Sequence, residues 1–347
     1  MIRGWIPGFA RTKSEYRYGD AQVLTDGTHT LVIDGMIGTG ANRLIEWLKK
    51  NNHKKVWLII THWHDDHFAG IEKILGDSYF KPQKLWCPNP DWLKPGTGGY
   101  YSADVEECME DGKRIIALAK RKKIPVVHPV SGSSYAIGDI RFKLYKQQPK
   151  KVESDDTHAW SFVNGGSISA WFPDLGYWTS GDGSGAGDQK ARIQHLGLTG
   201  KIRFFKIDHH GNYCSESNAR FFRAQGARYC WYNDIEPGGI GTTEFTAYGA
   251  RRCKQAGIHV FESVGDINWI ARDEKVVIYK DMNSYSYACA YKGRNTLKGS
   301  SRAVALDVIA GKYGENNDRI TKLLDAGYYP LAIQMMVNRI LKEKKWH

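Results

Sequence analysis

The sequence predicts an α/β fold in which two β-sheets pack on one another, followed by a small bundle of three helices. Three observations point there. Short apolar runs with strand character far outnumber the helical patterns between them, which favours two sheets over one parallel sheet. A polar run, Thr-His-Trp-His-Asp-Asp-His at 61–67, follows the apolar run Val56–Ile60, so donors stand at the end of a buried strand. Beyond residue 300 the pattern becomes helical throughout.

Taken in order, 19–25 and 30–34 read as strands joined by the Asp26-Gly27 turn. Residues 42–51 read as an amphipathic helix with Leu44, Ile45 and Leu48 on one face. Strand 56–60 leads into the histidine run, and a helix starts at 71–75. Strand 84–87, an aromatic loop at 91–102, helix 105–121 and strand 126–130 follow. Further strands are expected at 140–145, 160–163, 167–172, 177–180, 202–207, 228–232, 259–262, 268–272 and 275–279. Helices are expected at 216–225 and 245–256. Residues 281–300 are mixed and polar and read as a linker. The expected division is therefore a domain at 1–280, a linker at 281–300 and a helical module at 301–347. In that module Val304, Val308 and Ile309 line one helix, which Gly311 ends. A second helix covers 318–325. Pro330 opens a third, with Ile333, Val337, Ile340 and Leu341 on its inner face.

The chain has 347 residues, 41% of them hydrophobic, enough for one large domain and a small one. Its formal net charge of +12 favours an anionic partner: nucleic acid, a phosphate-bearing polymer or an acidic wall surface. The six cysteines (Cys87, Cys108, Cys214, Cys230, Cys253 and Cys289) form no Cys-x-x-Cys pair and read as free thiols of a reducing compartment. No run is apolar and long enough to span a bilayer, and the first residues lack the apolar core of a secretory signal. The expectation is synthesis in a cytoplasm, no membrane partner, and an open oligomeric state.

His62, His64, Asp66 and His67 concentrate imidazoles and a carboxylate in one turn, a set that suits zinc or another borderline divalent ion. Further donors stand at or beside other expected strands: Asp34, His158, Asp182, His209 and His210. The order Asp34, His62-x-His64-x-Asp66-His67, Asp182 and His209-His210-Gly211 resembles the metallo-β-lactamase superfamily and its αββα sandwich. Thr-Ser-Gly-Asp at 179–182 and Asp-His-His-Gly at 208–211 resemble a subgroup that holds the hydrolase domains of DNA-uptake channel proteins and cell-wall phosphorylcholine esterases. The Gly257-x-x-Val260 strand and the Gly265-Asp266-Ile267 hairpin fit that subgroup too.

The resemblance implies two divalent ions, zinc or else manganese. His62, His64 and His158 would hold one; Asp66, His67 and one of His209 or His210 the other. Asp182 would bridge them and Asp34 would stand behind the histidine loop. The sequence does not choose between His209 and His210: one binds metal, the other contacts or protonates the leaving oxygen. Taking His209 as ligand leaves Asp66, Asp182 and His210 as the catalytic groups. The subgroup carries an Asn-x-x-Ser pattern near His158, where this chain has His158-Ala-Trp-Ser161. His67, directly after the motif aspartate, argues against antibiotic hydrolysis. Hard phosphate oxygens and a basic surface favour phosphodiester chemistry.

In the helical module, Val308-Ile-Ala-Gly-Lys-Tyr-Gly, Arg319, Leu323-x-x-Ala-Gly-Tyr328 and Ile333-Gln-x-x-Val-Asn338 resemble the cell-wall-binding repeat of phage lysozymes, which recognises the muropeptide of peptidoglycan. Tyrosine replaces the usual tryptophan after Gly-Lys, and Asn317 replaces a loop glycine. Lys312, Tyr313, Arg319 and Tyr328 are the implied contacts. Joined to a hydrolase, the module implies an enzyme acting on wall polymers after phage-type release by lysis. The alternatives are a metal-dependent nuclease, for which the net charge speaks, and a non-catalytic wall-binding protein with a structural metal.

Overall fold

The computed structural model describes residues 2–7, 19–94, 103–146, 159–183, 192–211, 219–232, 247–262, 267–272, 275–279, 287–291, 298, 300–315, 319–320, 322–323, 326–328 and 330–344. Two mixed sheets form the frame. The first runs β1 (Ile2–Ile6), β2 (Gln22–Thr25), β3 (Thr30–Ile33), α1 (Gly38–Lys50), β4 (Lys55–Ile59), α2 (Asp65–Gly76), β5 (Lys81–Trp86), α3 (Ala103–Arg121) and β6 (Val126–Val127). The second begins with β7 (Ser134–Ile137) and β8 (Ile140–Tyr145). Helix α4 (Ala159–Gly165) precedes β9 (Ser169–Phe172), β10 (Tyr177–Thr179), β11 (Phe204–Lys206), α5 (Ala219–Ala224), β12 (Tyr229–Tyr232), α6 (Ala247–Gln255) and β13 (His259–Glu262). The chain then returns to the first sheet with β14 (Ile267–Arg272), β15 (Lys275–Tyr279) and β16 (Tyr287–Tyr291). The nine-stranded order is β16-β15-β14-β1-β2-β3-β4-β5-β6, and the seven-stranded order is β13-β12-β11-β10-β9-β8-β7.

Side-chain alternation explains the layers. In β3, Leu31 and Ile33 face the second sheet, while Val32 joins Leu44, Leu48, Ile71 and Ile74 of α1 and α2. In β11, Phe204 faces the first sheet, while Phe205 stacks on Phe222 of α5 with ring centroids 4.0 Å apart. Both faces of these strands are covered, so they read as continuous apolar runs. Helices therefore flank the sandwich on both outer faces.

Several elements differ from expectation. Residues 160–163 are helical, not a strand: Phe162 and Val163 join the helix-side core of the first sheet, and α4 packs on α3. That tertiary contact overrides the strand preference of an aromatic and β-branched run. Helix α2 begins at Asp65, so the histidine run itself supplies its first turn. The segment read as a linker carries β16, paired with β15 from Lys275–Tyr291 to Tyr279–Tyr287. Strands β1 and β7 were not anticipated. In the aromatic loop, Pro90–Leu93 forms a 3-10 turn, and 95–102 lie outside the described residues.

At the C-terminal end α7 (Arg302–Ile309) and α8 (Pro330–Lys344) share a core of Val304, Val308, Leu323, Ile333, Val337 and Ile340. Residues 319–320 and 322–323 are also helical. Ser301 caps α7 by accepting from the Val304 amide at 3.3 Å. Leu341 points outward instead of inward: it is 43% exposed and takes no part in that core. Among the described residues no helix is long and apolar enough to cross a membrane.

Candidate metal centre

Strand ends from both sheets deliver the polar side chains. After β4 the chain bends at His62 and Trp63 and is extended again at His64, the residue that precedes α2. Asp65 and Asp66 occupy the first turn of α2, where a carboxylate meets the positive end of the helix dipole. Across from them the β3 end is pulled close. Gly35 N donates to His67 O at 2.7 Å, and a Cβ on Gly70 would lie 2.0 Å from Gly35 O. Only glycines allow that approach. Asp20, in the segment before β2, donates its amide to Asp66 O at 3.1 Å.

From the second sheet, the turn after β10 brings Asp182, with Gly181 at φ +56 packed on Thr61. The turn after β11 brings His209 (φ 47) and His210 (φ 52), both in the left-handed region. Asp34 shares that conformation (φ 57). Backbone held this way costs energy that the surrounding structure must supply, a pattern that clusters at functional sites.

Asp20, His67, Asp182 and His210 each offer a ligand atom, and these atoms all lie within 4.8 Å of one another. Asp182 Oδ2 is the hub, 3.2 Å from both His67 Nε2 and His210 Nε2 and 3.9 Å from His62 Nε2. Asp66 Oδ2 lies 3.0 Å from His210 Nε2 and 3.6 Å from His67 Nε2. His62 Nε2 and His64 Nδ1 face each other at 3.0 Å. Behind the ring of His67, Asp34 Oδ2 lies 2.9 Å from Nδ1 while accepting from Thr61 Oγ1 at 2.8 Å; Asp34 Oδ1 accepts from Thr61 N at 2.8 Å. His209 Nε2 faces Asn164 Nδ2 at 3.4 Å. His210, not His209, thus belongs to the four-residue group. His158 lies outside the described residues.

Burial and charge act together. Burial opposes protonation of His67, but the carboxylates of Asp182, Asp66 and Asp34 hold its pKa well above the usual imidazole range. His210 is raised to about 10 against the same burial, by Asp182 and Asp20. Burial keeps His62 and His64 low and His209 at about 4. Burial would raise Asp66, yet His67 and His210 bring it down to about 2, and Asp182 is held still lower in the same way.

The donor set fits a divalent cation. His67 Nε2 and both ring nitrogens of His210 are buried without a hydrogen bond, although carboxylate oxygens converge on them. Imidazole nitrogens gathered at a shared point with carboxylates are what a divalent ion requires, the ion displacing the imidazole protons as it binds. Sequence reasoning missed Asp20, Lys206 and Asn164. Lys206 carried a signal, a lone ammonium inside the apolar run Phe204–Ile207. So did Asn164, since Asn164-Gly-Gly-Ser167 is itself an Asn-x-x-Ser sequence, nearer β9 than His158. Asp20 carried none.

In the C-terminal module, Tyr313 and Tyr328 pack partly against the core. Arg319 Nε donates to Gly314 O at 3.1 Å, and exposed Lys312 pairs with Asp307 at 2.6 Å. Cys87, Cys108, Cys230 and Cys253 are buried free thiols; Cys214 lies outside the described residues.

Residues 302–341 match the CW_7 repeat, a cell-wall repeat. No curated protein matches the chain in a sequence search. Similar solved structures include the metallo-beta-lactamase fold protein YhfI from Bacillus subtilis, 9% identical, with a TM-score of 0.47 over 77% of this chain and 98% of that one. A diphosphatase of the PhnP family is 13% identical (TM-score 0.45, 77% and 97% covered). Igni18, a metallo hydrolase of the hyperthermophilic archaeon Ignicoccus hospitalis, is 12% identical (TM-score 0.44, 78% and 100% covered). The metallo-beta-lactamase superfamily model matches residues 17–190, half of the chain and the stretch that carries Asp20, His67 and Asp182, and the chain belongs to that superfamily.

Proposed function

We propose that the protein is a dinuclear metal-dependent phosphodiesterase or esterase acting on bacterial cell-wall polymers. The observation that carries this reading is Asp182 Oδ2, which faces imidazoles of both halves of the histidine run and of the second sheet at 3.2–3.9 Å. His62, His64 and His158 would hold one ion, and Asp66, His67 and His210 the other, with Asp182 between them. Its place in the four-residue group supports His210 as the ligand, a choice between the two adjacent histidines that the sequence leaves open. Two such ions, when bound, would supply an activated water near neutral pH and a clamp on phosphoryl oxygens.

The chain's own groups do the rest. The Asp66 and Asp182 carboxylates, kept ionised by their imidazole neighbours, orient the attacking water. His209, held neutral by burial and placed against Asn164, contacts the leaving oxygen. The C-terminal repeat, as a three-helix bundle presenting Lys312, Tyr313, Arg319 and Tyr328, holds the enzyme to muropeptide. A second reading, DNA phosphodiester hydrolysis, draws on the +12 net charge.

The test incubates zinc- or manganese-loaded protein with purified Gram-positive walls, with plasmid DNA and with a chromogenic phosphodiester. Pelleting with walls and release of phosphorylated fragments is the expected result. DNA nicking without wall association would overturn the wall reading in favour of the nuclease. An Asp66→Ala, His67→Ala double variant should lose hydrolysis and keep pelleting.

A further inference from the structure

A lysine inside a buried strand is a costly choice. Lys206 ends β11, where alternation with Phe205 turns it toward the space between the sheets, and it is fully buried. An ammonium taken out of water must be paired and hydrogen-bonded to persist. Its partners are all at the candidate centre. Nζ donates to Gly181 O at 2.8 Å, forms an ion pair with Asp20 Oδ2, and lies 3.4 Å from Asp182 Oδ1. The bond to Gly181 O fixes the ammonium to the very turn that presents Asp182.

The two oxygens of Asp182 thereby face different groups. Oδ1 faces the ammonium, while Oδ2 faces His67, His210 and His62. A free aspartate carboxylate turns readily about its terminal torsion, which is broad and roughly two-fold. Nothing intrinsic to Asp182 would keep one oxygen at the crossing of three imidazoles. Asp20, which places its other oxygen 3.6 Å from His210 Nδ1, supplies the counter-charge for Lys206.

We infer that Lys206 is a positioning residue for the metal centre: it occupies one oxygen of Asp182 so that the other stays turned toward His67, His210 and His62, where an ion would be held. This rests on the metal-hydrolase reading above. Residues behind a ligand set typically change metal affinity 10- to 100-fold when replaced.

The experiment titrates chelator-stripped full-length protein with Mn2+ by calorimetry for wild type, Lys206→Met, Asp20→Asn and the charge-neutral double variant Lys206→Met/Asp20→Asn. Melting temperatures of the stripped proteins report the fold. The double variant removes both members of the buried pair, so it keeps the test alive if Lys206→Met alone does not fold. The expected result is Mn2+ affinity 10- to 100-fold below wild type in the double variant, and at least tenfold below Asp20→Asn. If the double variant binds Mn2+ as wild type does, or if Asp20→Asn alone shows the whole loss, the inference is overturned. Absence of Mn2+ binding by wild type would instead remove the metal-hydrolase reading on which the inference stands.

Discussion

Replacing Asp34 by asparagine isolates what a single buried carboxylate does for the centre. Asparagine keeps the shape and tolerates the left-handed φ of +57, so the backbone is undisturbed. The carboxylate accepts three hydrogen bonds: Thr61 N and Thr61 Oγ1, both at 2.8 Å, and His67 Nδ1 at 2.9 Å. In the variant the amide oxygen serves Thr61 N, and its NH2 occupies the place of Oδ2. The Thr61 hydroxyl rotates and accepts. His67 has no such freedom: Nδ1 must become an acceptor, and the ring proton moves to Nε2. That atom faces Asp182 at 3.2 Å and is where a ligand lone pair is needed. Each of the three bonds loses its charge assistance, about 1 kcal/mol apiece, and relief of the buried charge returns part of this, so stability should fall by about 1–3 kcal/mol. Divalent-ion affinity should fall about 10- to 100-fold, equivalent to about 1.4–2.8 kcal/mol. Urea unfolding of chelated protein measures the first quantity and calorimetric titration with Mn2+ the second. Nitrogen-15 spectra of the histidine rings in zinc-loaded protein report the tautomer. Wild-type affinity in Asp34→Asn, with the His67 proton still on Nδ1, would refute the reasoning.

Other outcomes follow from the same geometry. His210→Ala should lower Mn2+ affinity at least tenfold more than His209→Ala, read by the same titration, because only His210 lies in the four-residue group. In chelated protein, the contribution of the site's histidines to stability should peak near pH 6.5 and decline on both sides. The folded pKa of His210 (about 10) and that of His67 lie above the usual imidazole value of about 6.5, so their contribution is complete below 6.5 and is lost as pH rises through the folded values. His62, His64 and His209 are depressed, so theirs is lost as pH falls below 6.5. Urea midpoints across pH 4–10 check this, and His210→Gln should flatten the alkaline side. Ile333→Ala, in the core shared by the C-terminal helices, should cost about 2–5 kcal/mol of module stability and abolish pelleting with walls while hydrolysis of a soluble ester continues.

Much of this was legible in the sequence because the physics is local. Strand Lys275–Tyr279 ends where its apolar run ends, and Ile140–Tyr145 follows a stretch of apolar–polar alternation. The histidine run announced itself by concentrating donors behind a buried strand. What was hidden depends on distant chain segments. Trp160–Val163 has the composition of a strand, and only its docking against α3 makes it helical. Asp20 looks like any polar residue before a strand, and it becomes part of the site because Gly19 lets the backbone pass within contact of Asp66. The choice between His209 and His210 rests on two successive left-handed residues, a conformation that no residue type at those positions advertises.

The placement of β1 bears on how the molecule is made. Ile2–Ile6 lies between β2, some twenty residues away, and β14, whose Ile267–Arg272 emerges from the ribosome more than 260 residues later. Until then β1 presents an open ladder of backbone donors and acceptors, the kind of edge that invites aggregation. Every member of the four-residue group is synthesised by His210. The nascent chain therefore carries its ion-binding side chains well before the sheet that frames them can close, and chaperone protection of that edge would matter most during this interval.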